Sequence, residues 1–257
     1  MADKIWGEFK LQENNPFEWA LNDVCRLNAV YKERELRLLC RMKQEGQPFE
    51  ELLPEESWQR WAEKGTSVTL DIKPAMPNLA LIVSPENPFF LRPGATASFY
   101  VRVPLWLQLR TSKNETTLTD QPFVTLSKTW FGTPMEGELC YWKSSTALRE
   151  ITGEHYLAHA AICPLQLENR SSIDLHVEKI CFRVYYLSLF YDGTQLWSDR
   201  MNIEYSGKES VSELTVKGQP PAEAKQAKLI NGPREKLKRR IAAISFSGLL
   251  DLPGRLI

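Results

Sequence analysis

Two carboxylates, Glu136 and Glu138, sit two residues apart inside the segment Ser127–Trp142, SKTWFGTPMEGELCYW. On a strand such positions face one side, with about 6–7 Å between their Cα atoms. Glycoside hydrolysis uses carboxyl pairs about 5–10 Å apart, so the spacing is permissive. The origin of the pair is less so. Glycosidases flank the scissile bond from two sides, whereas both acids here come from one element beside Gly137. Solvated acids at a hairpin entry are the simpler reading, and no catalytic residue is assigned.

The same segment sets Trp130, Phe131, Tyr141 and Trp142 around a Gly132-Thr133-Pro134 turn. Exposed rings of this kind stack on sugars and bases, while buried ones close the end of a sandwich. A small-ligand or carbohydrate-binding module centred on Trp130, Phe131, Glu138 and Tyr141 is therefore the alternative expectation to a protein-interaction role, with packed core rings as the other reading of the same residues. The module requires those rings to face solvent in a concave surface.

His155, His159 and Cys163 recur every four residues and are zinc-ligand types. Along an extended strand, however, consecutive members lie about 13 Å apart, too far for one ion. Pro164 and the run AHAAICPLQL favour extended chain there. No metal and no cofactor are expected. The chain also lacks G-x-S-x-G, a P-loop and G-x-G-x-x-G, and it has only three histidines to move protons near neutrality. The expectation is a protein that is not an enzyme.

The elements that must position these residues are mostly strands. Val68, Leu70 and Ile72 alternate with Thr69 and Asp71; Phe99, Val101 and Val103 alternate with Tyr100 and Arg102. Ile180, Phe182 and Val184 repeat the pattern, as do Leu36, Leu38, Cys40 and Met42. Pro85-Glu-Asn-Pro88, Arg92-Pro-Gly94, Asp192-Gly193 and Ser206-Gly207 punctuate the runs, and Asp192-Gly193 predicts a two-residue hairpin. Helix is predicted twice: from Pro54 through Trp58 and Trp61, and in the tail, where Leu237, Ile241 and Ile244 form a stripe.

A loose repeat relates ALIVSPENPFFLRPGATASFYVRV, ending at Val103, to AICPLQLENRSSIDLHVEKICFRV, ending at Val184. The expected architecture is accordingly mostly β and antiparallel, with two immunoglobulin-like β-sandwich units. Residues 1–64 supply N-terminal strands and the short helix, 65–150 and 151–217 the two sandwiches, and 218–257 a basic amphipathic helical tail.

Net charge is zero, with 32 basic and 32 acidic residues, so no global pull toward nucleic acid exists. Residues 218–257 nevertheless hold eight Lys/Arg against three acids, which makes the tail +5 and the body −5. Lys236, Lys238, Arg239 and Arg240 are the candidate contacts for an anionic membrane surface or a partner protein. The alternative is a tail folded back on its own body. Five scattered cysteines without C-x-x-C spacing read as reduced, mostly buried thiols of a cytoplasmic protein. The N-terminus, MADKIWGEFK, lacks a signal-peptide run, and no window holds 18 consecutive apolar residues.

The segments FLRPGATASFYVRVPLW, SKTWFGTPMEGELCYW and AICPLQLENRSSIDLHVEKICFRVYYLSLFY resemble an uncharacterised family of archaeal and bacterial proteins, a domain of unknown function. The likeness runs from about Trp6 to Tyr205 and transfers no catalytic residue. It implies a soluble protein, and for some members a gene neighbourhood shared with mechanosensitive channels of small conductance. The expected role is thus a non-enzymatic interaction protein, cytoplasmic and peripheral to the membrane, docking on a membrane-associated partner such as such a channel.

Overall fold

The structure, a computed structural model, describes residues 5–43, 58–63, 67–111, 117–135, 137–151, 157–207, 212–237, 241–243 and 246–247. The period-2 runs become strands, except that the run through Ile180 and Phe182 stops there and Val184 opens a 3-10 turn. Among the described residues helical turns are confined to short 3-10 pieces such as Val184–Tyr186 and Ala222–Ala224. The chain divides into two compact units that interleave along the sequence.

The first unit comprises Met1–Ala75 and Leu105–Val124. One of its sheets orders β1 (Gly7–Leu11), β6 (Val68–Ala75), β10 (Trp106–Thr111) and β11 (Thr117–Pro122). The other orders β2 (Phe17–Leu21), β3 (Cys25–Lys32), β4 (Glu35–Met42) and β5 (Gln59–Ala62). Every neighbour is antiparallel. Along β3 the alternation is visible: Cys25, Leu27, Ala29 and Tyr31 are buried, while Arg26 and Lys32 face water. Rings tie β1 to β2, with Trp6 5.7 Å from Trp19 and Phe9 5.4 Å from Phe17. The β3–β4 turn has φ of 54° at Glu33 and 61° at Arg34. That is the left-handed geometry of a type I′ turn, which normally selects Asn-Gly.

The helix expected through Trp58 and Trp61 is corrected here. Gln59–Ala62 is a strand, and Trp61 sits opposite Leu36 of β4. The open edge of β4 supplies partners for backbone N–H and C=O groups, and that pairing overrides the local helical signature. Residues 54–57 lie outside the described residues.

The second unit comprises Met76–Pro104 and Thr125–Ile257. Its five-stranded sheet orders β12 (Ser127–Gly132), β13 (Gly137–Ala147), β7 (Ala80–Pro85), β16 (Lys179–Phe182) and β23 (Phe246–Ser247). A larger sheet orders β21 (Lys228–Asn231), β17 (Leu189–Tyr191), β18 (Leu196–Ser198), β14 (Ala160–Asn169), β19 (Met201–Tyr205), β20 (Ser212–Val216) and β22 (Ile241–Ala243). Against β14 also lies β9 (Thr96–Pro104), and β8 (Phe89–Leu91) pairs with β15 (Leu175–Val177). β14 has strands along both edges and is buried almost throughout; its first half, Ala160–Leu165, is wholly apolar, and Gln166 and Glu168 are half-buried.

The two segments of the sequence repeat are each other's partners. The first strand of one pairs with the last of the other (β7 with β16), the middle with the middle (β8 with β15), and the last with the first (β9 with β14), all antiparallel. Similar alternation at similar spacing lets one segment lie along the other in reverse.

The C-terminal amphipathic helix is likewise corrected. Ile241–Ala243 adds to β20, Phe246–Ser247 adds to β16, and Lys228–Asn231 adds to β17. Short strands at these sheet edges satisfy hydrogen-bonding groups that would otherwise be left open. Between them, Arg234 donates from Nε to the Met76 carbonyl, and the N–H groups of Arg234 and Glu235 reach the Tyr185 carbonyl. The described tail therefore docks on its own unit, by strand pairing. A hairpin forms after β17, but not with Asp192-Gly193 as its two-residue loop. Tyr191 opposes Leu196, Asp192 N reaches the Gln195 carbonyl at 3.3 Å, and Gly193, with φ of 104°, and Thr194 make the turn. The Asp192 carboxylate accepts from Thr194 N and Gln195 N at 2.8 and 2.7 Å.

One buried carboxylate gives this unit a pH signature. Asp199 accepts from Ser188 N and Gly218 N, each at 2.9 Å, and so joins three segments. Burial pushes its carboxyl up from 3.8 to about 6, against the pull of those N–H donors. The folded state then holds this proton more tightly than the unfolded chain. Stability is expected to fall as pH rises from ~4 to ~6, by up to ~3 kcal/mol. Urea unfolding of wild type and Asp199→Asn between those limits checks this. A difference between the two that does not vary with pH would remove the account.

Candidate functional site

Strands β13 and β16 lie on either side of β7, and on one face they carry matching residues in reverse order. Glu138, Cys140 and Trp142 alternate along β13; Lys179, Cys181 and Arg183 follow along β16 and the residue after it. Three contacts cross β7. The Arg183 guanidinium forms an ion pair with the Glu138 carboxylate. The Sγ atoms of Cys140 and Cys181 approach to 3.8 Å. Lys179 Nζ stands 5.3 Å from the centre of the Trp142 ring. Ala80 and Ile82 of β7, with Phe131, complete the apolar packing around the thiols, and Tyr185 packs against it. Ala80 has no side chain beyond Cβ, which leaves room for groups from the flanking strands to meet above it.

Electrostatics inside this cluster are asymmetric. The hydrogen bond with Cys181 pulls the Cys140 thiol below its ordinary value despite burial. The same hydrogen bond, with burial, holds the Cys181 thiol well above its own. Either thiol can donate across this contact, and each also lies within reach of Glu138: Cys181 of the carboxylate at 3.6 Å, Cys140 of the backbone carbonyl at 3.7 Å. Burial alone would lower the Arg183 value, but Cys181 and Glu138 outweigh it and keep the guanidinium charged. Burial and then the Glu138 charge push the Tyr185 phenol up.

The four ligand candidates divide two and two. Trp130 opposes Leu139 and shares a face with Tyr141, whereas Phe131 opposes Glu138 on the face of the thiols. Trp130 is 53% exposed, and beside it Leu139 is exposed and Met135 is 92% exposed. Phe131 and Tyr141 are buried, and the Tyr141 hydroxyl donates to Asn78 Oδ1 at 2.8 Å. Trp130 is held in place: its Nε1 donates to the Thr133 carbonyl at 2.9 Å, and its ring covers Gly137. A Cβ at position 137 would come within 2.5 Å of Trp130 Cε2 and 2.7 Å of the Thr133 carbonyl oxygen, so only glycine fits.

Cys163 is fully buried in β14, where burial raises its thiol to about 12, and His159 lies in the turn before that strand. Lys236 is exposed. Glu136, His155, Lys238, Arg239 and Arg240 lie outside the described residues. A separate open cleft of about 580 Å³ lies in the first unit, lined among others by Glu18, Arg26, Asn28, Arg41 and Trp58. None of the sequence candidates lines it.

Sequence reasoning missed the Cys140–Cys181 pair. The two lie 41 positions apart with no C-x-x-C signal. The available clue was the order Glu-x-Cys-x-Trp in one run and Lys-x-Cys-x-Arg in another, complementary when read antiparallel.

These features define a mostly-β protein rich in antiparallel pairs, with a buried thiol pair and ion pair on one sheet. A family model described as "Protein of unknown function (DUF432)" matches residues 5–251, and the chain belongs to that family, in line with the resemblance carried by its segments. No curated protein and no solved structure matches the chain.

Proposed function

We propose that this protein is a non-enzymatic interaction module and that the β12–β13 hairpin is the surface it offers to a partner protein. The observation that carries the reading is the position of β12. It ends its sheet, and among the described strands it pairs with β13 alone. An edge strand of this kind accepts an added strand from another chain, with main-chain hydrogen bonds for affinity and side-chain contacts for specificity. Trp130, Leu139 and Met135 form the apolar contact beside that edge. The indole is fixed by Thr133 and Gly137, so little conformational freedom is lost when it is covered.

In this reading the sheets of each unit are sandwich layers of immunoglobulin type, supported by the in–out burial along β3, β9 and β19. The protein works in the cytoplasm, and its partner is membrane-associated, such as a mechanosensitive channel. Among the described residues no helix is long and apolar enough to cross a membrane. The basic cluster Lys236, Lys238, Arg239 and Arg240 is the peripheral membrane contact.

Two experiments test this. The protein and its Trp130→Arg/Leu139→Arg variant are used to recover partners from native cells, with Phe90→Ser, which alters another exposed ring, as control. A specific partner is expected to be lost at least tenfold with the double variant and retained with the control, since buried aromatic anchors dominate interfaces. Equal recovery by all three ends the hairpin reading. For the membrane arm, deleting residues 233–257 would also remove β22 and β23, so charge reversal of the four basic residues is the cleaner change. Binding to anionic vesicles that does not respond to it ends that arm.

A further inference from the structure

We propose that Glu138, Cys140 and Cys181 are the protein ligands of a single divalent cation of the zinc class, bound with one coordination position open. The three residues place one donor atom each within 4.8 Å of one another. Tetrahedral zinc with Zn–S bonds of about 2.3 Å sets its sulfurs about 3.8 Å apart, and an oxygen at about 2.0–2.2 Å lies about 3.5–3.7 Å from each sulfur. The observed Cys140 Sγ–Cys181 Sγ distance is 3.8 Å, and Glu138 Oε1 lies 3.6 Å from Cys181 Sγ. Two edges of a coordination tetrahedron are therefore already in place.

A disulfide is the competing use of two close thiols, and sheet geometry argues against it. Because β7 separates β13 from β16, the two cysteine backbones are spaced by two strand intervals, roughly 9–10 Å. A disulfide needs Cα atoms within about 4.4–6.8 Å. Closing that gap would require the central strand to yield. A cation fills it without moving backbone.

Donor chemistry narrows the ion. Two thiolates and one carboxylate suit a borderline-soft ion, whereas calcium and magnesium take oxygen ligands. Arg183 fits the surroundings of such a centre. Two thiolates and a carboxylate around a divalent ion leave one negative charge, which the buried guanidinium offsets while it orients Glu138, as partners of metal ligands do. The thiols are inside the protein, but the Glu138 side chain is 32% exposed, so an ion has its route in from that side.

The test uses full-length protein, reduced, stripped with a chelator and titrated with cobalt(II) as the spectroscopic probe. One equivalent is expected to give a thiolate-to-cobalt charge-transfer band and tetrahedral visible bands, both abolished by added zinc. Cys140→Ser and Cys181→Ser should each lose the band. Cys25→Ser, which alters the separate Cys25–Cys40 contact of 3.7 Å, should keep it. Glu138→Gln leaves both thiols and should weaken binding at least tenfold. Absence of a band in wild type overturns the proposal, as does a band that survives Cys181→Ser. Exclusive formation of a Cys140–Cys181 disulfide under these conditions overturns it too. If the serine variants do not fold, wild-type stoichiometry and the Glu138→Gln titration decide the matter.

Discussion

Replacing Asn169 with alanine is expected to destabilise the protein by about 3–5 kcal/mol, because it removes the centre of a buried polar knot. Asn169 is fully buried at the end of β14. Its Nδ2 donates to the carbonyls of Leu91 and Ile173 at 2.7 and 2.8 Å. Its Oδ1 accepts from the Ser171 N–H and hydroxyl at 3.0 and 2.7 Å. One side chain thus uses all its hydrogen-bonding capacity to join β8, the end of β14 and the following bend. Alanine leaves the Leu91 carbonyl and the Ser171 N–H open at once and removes a cavity-filling side chain as well, and a buried unsatisfied group costs about 1–3 kcal/mol. The Ile173 carbonyl keeps the Ser171 hydroxyl as a donor at 2.9 Å, which holds the total below the simple sum. Asn169→Asp is a sharper probe. It preserves the bonds to Ser171 but turns an oxygen toward two carbonyls, so it should be at least as damaging as alanine above pH 5. Urea unfolding measures both. A loss under 1 kcal/mol for alanine would mean that water takes over the site.

The second large effect concerns the Glu138–Arg183 pair. Glu138→Ala is expected to destabilise the metal-free protein by about 2–3 kcal/mol, somewhat below the 3–5 kcal/mol typical when one partner of a buried pair is removed. The discount follows from geometry. The Arg183 side chain is 6% exposed and cannot reach water, but Glu138 is 32% exposed and already sees it. The penalty is therefore mainly that of a buried guanidinium that has lost its carboxylate. Joint replacement, Glu138→Leu with Arg183→Met, should recover most of the loss, because the desolvation cost then disappears with the charges. Unfolding in the presence of a chelator separates this effect from any cation bound at the same place. A double variant no more stable than Glu138→Ala would show that packing, not the loss of the carboxylate beside a buried charge, sets the cost.

Legibility of the candidate site followed burial. Trp130 was readable as a possible contact because large rings beside a Gly-Pro turn stand out in any sequence. Its separation from Phe131 was not readable, since one residue's step on a strand reverses the face and only register tells which side is inside. Cys140 and Cys181 looked like scattered core thiols. Their meeting depends on β7 entering the sheet between two strands that are distant in sequence.

What the chain's own order of residues determined is the strand content. Alternation at Val68–Ile72, Phe99–Val103 and Ile180–Phe182 is a local property, set by the two-residue period of extended backbone. The hairpin around Gly193 was local in the same sense, because glycine admits the positive φ the turn requires. Family membership, too, was legible in the sequence, the family model matching residues 5–251. Only tertiary structure decided the fate of Trp58–Trp61 and of Ile241–Ala243. Their helical spacing was real, yet open edges at β4 and β20 offered hydrogen bonds that an isolated short helix could not match. The pairing of the repeats and the buried thiol cluster were decided at that level as well. Short-range patterns fix which way side chains alternate, whereas partner strands, and so the chemistry that crosses between them, are chosen by contacts that the unfolded chain does not contain.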